Sequence, residues 1–131
     1  MSYFLSITIP PNTPKSEPLV YDLVITPLVI DKVSITFPTG CVYLAGLRFT
    51  YRAFQIFPYN DNAWFIGNGN DISFLTEFRC DDPPFVLQIE LFNEDEIYPH
   101  TPTILIDVTF INNREELRQQ ILNGYNSPRV V

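Results

Sequence analysis

Residues 31–37, DKVSITF, place Val33, Ile35 and Phe37 on one side of an extended chain and Lys32, Ser34 and Thr36 on the other. A period of two marks a half-buried antiparallel strand, because successive side chains point to opposite faces. The same reading gives strands at 3–9, where Tyr3, Leu5, Ile7 and Ile9 share a face, and at 19–25, 53–57, 72–78, 85–91 and 103–111. Residues 41–51 read as one long strand, with Gly46 marking a bulge or close packing, and 64–67 as a short apolar piece. Turn chemistry separates these runs: PTG at 38–40, PYNDN at 58–62, NGND at 68–71 and DDPP at 81–84. Many short strands at regular spacing predict an all-β chain. The expected form is a single antiparallel β-sandwich of about eight strands, with the jelly roll among its variants. No βαβ alternation and no fixed-period repeat is present.

The two ends break the pattern. Residues 10–18, PPNTPKSEP, hold four of the 12 prolines. Proline lacks the N–H that a ladder needs, so this segment reads as an extended linker or arm. At the other end, NNREELRQQILNG (112–124) has Asn113 as a helix cap, Glu116 as its capping-box partner and Gly124 as a stop. Leu117, Ile121 and Leu122 share one side, which predicts a short amphipathic C-terminal helix followed by the tail YNSPRVV (125–131). A helix this short is marginal in water alone, so it is expected to dock on its own sandwich or on a neighbour. The division is therefore a sandwich over 1–111 and a helix with tail over 112–131.

Composition narrows the partners. The 131 residues fit one domain, and 46% hydrophobic content is too apolar for disorder. Charged residues make up 18%, below the usual quarter, which suggests that a partner covers some of the surface. With a net charge of −7 and only 8 Lys and Arg, nucleic acid and anionic membranes are disfavoured partners. No apolar run approaches the length of a membrane span, and the start MSYFLSITIPP lacks a signal peptide's features, so a cytoplasmic location is the default expectation. Cys41 and Cys80 form no CxxC motif and are expected to be buried free thiols, a disulfide being open only if their backbones approach.

Candidate chemistry is sparse. The only histidine, His100, has no nucleophile-elbow motif to serve and reads as a structural or surface residue. The run NEDE (93–96) could contribute oxygens to calcium together with the other Asp/Asn loops, but it lacks calcium-loop spacing and reads as a solvated turn. Glu90, Glu94 or Asp95 could pair for glycoside hydrolysis, yet so short a chain leaves little room for a cleft. Neither enzymatic activity nor a cofactor or metal is expected. Tyr59 and Trp64 flank Asn60, Asp61 and Asn62. They read as core or interface aromatics, or as the stacking platform of a carbohydrate-binding module.

The layout of arm segment PPNTPKSEP, compact short-looped sandwich, few lysines and terminal REELRQQILNGYNSPRVV resembles the small β-sandwich virion proteins of tailed phages and related viruses. These are decoration, connector and tail subunits. The resemblance implies a structural role in a homo-oligomer within a virion, with contacts to itself and to other particle proteins. It implies no catalytic residues. Tyr125, Val130 and Val131 of the tail join Tyr59 and Trp64 as expected interface residues, because apolar side chains at a chain end gain little unless covered.

Overall fold

The computed structural model describes residues 1–111, so the expected C-terminal helix and the tail residues Tyr125, Val130 and Val131 lie outside the described residues. Nine strands form there: β1 (Ser2–Ser6), β2 (Leu19–Val24), β3 (Leu28–Thr36), β4 (Ala45–Tyr51), β5 (Phe54–Phe57), β6 (Phe65–Ile66), β7 (Asp71–Cys80), β8 (Val86–Asn93) and β9 (Thr103–Phe110). They make two sheets, ordered β1-β9-β3-β7 and β2-β8-β4-β5, with β6 also on β4. Every pairing is antiparallel. The all-β sandwich read from the alternation is what forms.

The core lies between the sheets. Val33, Ile35, Ile104 and Ile106 of the first sheet meet Leu47, Phe49, Ile89 and Leu91 of the second, all buried. Phe49 sits among rings, with Phe57 and Phe65 edge-on at centroid distances of 5.9 and 6.3 Å. Phe65 stacks on Phe74 of β7 at 5.6 Å, so the ring cluster joins both sheets. Cys41 and Cys80 are buried free thiols. They stand at opposite ends, Cys80 beside Leu28 at one end of β3 and Cys41 in the loop that follows the other end.

Two expected strand boundaries are corrected. β3 begins at Leu28, three residues before the alternation at 31–37, because the register shifts between Ile30 and Lys32: Asp31 is an extra residue against β9, whereas against β7 two residues, Thr76 and Glu77, stand opposite it. Residues 41–44 are a turn rather than the start of a long strand, and Val42 and Tyr43 have φ of +47° and +61°. Gly46 is a close-packing site. A Cβ there would lie 2.5 Å from the Phe92 ring and 2.6 Å from the Phe65 carbonyl oxygen.

The two ends of the sandwich differ. At one end Arg52 and Ala53, with φ of +54° and +67°, turn β4 into β5 as a two-residue hairpin. Charged side chains gather there: Arg52 lies 3.3 Å from Asp82, Arg79 lies 3.0 Å from Asp81, and the Tyr51 hydroxyl donates to the Asp82 carbonyl. At the other end converge the β1–β2, β3–β4, β6–β7 and β8–β9 loops.

Candidate functional site

The convergence of those four loops is organised by one buried amide. Asn93 closes β8 with no exposed surface. Its Nδ2 donates to the carbonyls of Ile9 at 3.1 Å and Tyr98 at 3.0 Å, and its Oδ1 accepts from the Asp95 amide at 3.0 Å. The Asn93 backbone exchanges two 2.8 Å hydrogen bonds with Thr13. Asp95 continues the turn, because its Oδ1 accepts from the amides of Ile97 and Tyr98 at 2.9 and 3.1 Å. Its Oδ2 lies 2.9 Å from His100 Nε2. The run NEDE is thus a turn, as read, but its first residue is buried rather than solvated. His100 is structural: it is buried and bridges to Ile9.

Of the two readings of residues 10–18, linker or arm, the same loop supports the linker between β1 and β2. Asn12 donates from its amide to the Asp95 carbonyl at 2.9 Å and from Nδ2 to the Glu96 carbonyl at 3.3 Å. Lys15 sits 3.6 Å from Glu94 and 4.7 Å from the centre of the Phe92 ring. Over 12–15 the segment is bound to its own sandwich, because residues 93–96 offer carbonyls and an acid that match its donors.

The amide of Ile97, that of Tyr98 and then the His100 ring all stabilise the ionised Asp95 carboxylate and hold its pKa below the usual carboxylate range. A depressed carboxylate pKa contributes stability that is present above the unfolded value of about 3.9 and is lost as pH falls through the folded value. Asp95→Asn is therefore expected to melt below the wild type at pH 6–7, with the two melting temperatures converging below about pH 4. Thermal melts across pH check this, and a gap that stays constant into acid contradicts it. Burial pushes the Cys80 thiol up to about 12, and burial followed by the nearby Asp95 raises that of Cys41. Neither thiol is poised as a nucleophile.

Around this hub stands an apolar cap. Glu94 donates its amide to the Leu44 carbonyl at 2.8 Å and Tyr43 to the Gly67 carbonyl at 3.1 Å, which stitches the three loops side by side. Val42, Tyr43, Leu44 and Ile66 are exposed on this end, as are Ile97 at 72% and Tyr98 at 64%. Val42 and Tyr43 reach it only through left-handed backbone, a conformation that costs a β-branched or bulky residue about 1–3 kcal/mol. Apolar side chains held outward at such a cost form the strongest candidate surface of the described residues.

Trp64 and Tyr59, expected together, face different ways. Trp64 lies on the outer face of the second sheet, edge-on to Phe92 at 4.9 Å and beneath the Arg48 guanidinium at 4.2 Å. Arg48 is also held by Glu90 at 2.9 Å, directly across on β8. Gln55 Nε2 donates to the carbonyls of Pro58, Asn60 and Ala63 at 2.8, 2.9 and 3.1 Å and so pins the 58–63 loop. A polar recess of about 310 Å³ lies between Arg48, Gln55, Asp61, Asn62 and Glu90. Tyr59, 90% exposed, instead borders an apolar groove of about 270 Å³ with Phe57, Phe65, Phe74 and Leu75, where the sheets part between β5 and β7. Glu90 is engaged by Arg48, while Glu94 and Asp95 belong to the hub. No group of three or more His, Cys, Asp or Glu among the described residues could hold a metal ion.

No family model matches the chain, and no curated protein matches it in sequence.

Proposed function

We propose that the chain is a non-enzymatic structural subunit that assembles with copies of itself and with other particle proteins, as a decoration, connector or tail component of a virion. The observation that carries this reading is the apolar cap of Val42, Tyr43, Leu44, Ile97 and Tyr98, which a lone subunit leaves in water. The sandwich itself is proposed to be a jelly roll. In support, each sheet interleaves strands from the first and second halves of the chain, and successive strands from β1 to β4 alternate between the sheets. Such a layout is what two nested Greek keys require, and jelly rolls serve viral capsids and lectins alike. The tail residues Tyr125, Val130 and Val131 are assigned to contacts with a neighbouring subunit.

Size-exclusion chromatography with light scattering tests the reading. The expected mass is a multiple of 15.1 kDa that falls in the double variant Ile97→Ser, Tyr98→Ser and on removal of residues 125–131. A 15.1 kDa species at every concentration overturns it. The rival reading is a carbohydrate-binding module. The polar recess lined by Arg48, which itself lies over the Trp64 ring, favours it, although neither Trp64 nor Tyr59 lines that recess. Saturable quenching of the single Trp by sugars, lost in Trp64→Ala with the fold intact, would decide for the rival.

A further inference from the structure

Strand β7 closes one side of the first sheet. It is ten residues long, Asp71–Cys80, and among the described residues it pairs only with β3. Natural sheets blunt such an edge with charge, proline or a short strand, because unpaired N–H and C=O groups invite another chain. Here the middle of the edge carries Leu75, 82% exposed, beside the apolar groove that Tyr59 borders.

We propose that β7 pairs antiparallel with β7 of a second copy about a two-fold axis through Leu75, joining two four-stranded sheets into one continuous sheet. The proposal rests on the self-assembly reading above and names one interface for it. Strand sequence selects both the partner and the register. With Leu75 opposite Leu75, Asp71 faces Arg79 of the second copy at both ends of the contact, and Ile72 faces Phe78 on the core side. A C2 contact demands this kind of self-complementarity, since if Asp71 meets Arg79 of the second copy, Arg79 of the first copy must meet Asp71 of the second.

Neighbouring registers fail on simple grounds. Centring on Phe74 sets Asp71 opposite Glu77, two like charges. Centring on Thr76 leaves Arg79 opposite Ser73 and Leu75 opposite Glu77. A shift by one residue sets core-side positions against outer ones and turns the second sandwich over. Arg79 holds Asp81 at 3.0 Å among its contacts, and the five N–H donors of a guanidinium let it share more than one carboxylate. The groove beside the axis would then be closed by the second copy, which would cover Leu75 and Tyr59, the most exposed of its lining residues.

Cross-linking of the full chain tests the register. Residues directly opposite in an antiparallel pair have Cα atoms about 4.5–5.5 Å apart, within reach of a disulfide. Leu75→Cys is expected to form a covalent dimer on mild oxidation, whereas Ser73→Cys, whose mate stands four positions away along the pair, is expected to form little. Leu75→Lys, which sets two ammonium groups face to face, is expected to reduce the mass of the wild-type particle at least two-fold in light scattering. Leu75 is exposed, so these variants leave the monomer's packing intact. If the wild type is oligomeric yet Leu75→Lys keeps its mass, or both cysteine variants cross-link equally, the β7 pairing is wrong while the assembly reading stands. If the wild type is monomeric at every concentration, both fall.

Discussion

Replacing Phe49 with Ala is expected to destabilise the sandwich by about 3–5 kcal/mol, the range for removing a large buried ring. Phe49 has no exposed surface and lies in β4 at the centre of the second sheet, edge-on to Phe57 and Phe65. Its neighbours cannot all close the void. Phe57 is tied to Phe74 at 5.2 Å and to Phe78 at 5.9 Å across the sandwich, and Phe65 to Phe74. Loss of one ring therefore loosens the junction of the two sheets. Urea denaturation should show a lower midpoint with little change in slope. A loss under 1 kcal/mol would mean that the ring cluster collapses freely around the gap.

Asn93→Ala should be nearly as costly and should act at a different place. The truncation strands the Tyr98 carbonyl and the Asp95 amide, and takes one of two donors from the Ile9 carbonyl, which keeps the His100 amide at 3.2 Å. A buried polar group left unpaired costs about 1–3 kcal/mol, so with two groups stranded a loss of about 2–4 kcal/mol is expected once water reaches part of the site. The local signature separates this from a core defect. Amide hydrogen exchange should accelerate first at Thr13 and at 95–98, while the Phe49 cluster stays protected. Uniform acceleration through β3 and β4 would show that Asn93 supports the whole fold rather than the loop hub. Asn93→Asp is no rescue, because a carboxylate cannot donate to two carbonyls.

What could be read from the chain follows physical lines. Strict alternation located β3 from Lys32 onward, and the turn residues at 58–62 and 68–71 separated the strands around them. The alternation failed where the backbone leaves its period. The bulge at Asp31 reverses the phase between Ile30 and Lys32, so Leu28, Val29 and Ile30 carried no alternating signal although all three are buried. Residues 41–44 misled for the opposite reason. Val42 and Tyr43 are strand-favouring types placed in a left-handed turn, which its own Leu44 amide to Cys41 carbonyl bond at 2.8 Å and the Tyr43 amide to Gly67 carbonyl bond hold in place. The Arg52–Ala53 hairpin likewise lacks the Asn-Gly that usually marks a turn with two positive φ values. Of the candidate site, the aromatic pair at 59 and 64 was visible as composition, but residue parity within the loop and β6 sends Trp64 outward and Phe65 inward. The role of Asn93 left no trace in the sequence, because all three of its side-chain partners are backbone groups, and backbone groups have no letters.

The left-handed pair Val42–Tyr43 and its neighbours make one pole of the sandwich greasy, while the Arg52, Arg79, Asp81 and Asp82 pole is ionic. A brick with unlike poles has a sense of up and down. Two copies joined through β7 would lie head to tail, so each end of the pair would carry one apolar and one ionic pole, and sidedness would have to come from a second component.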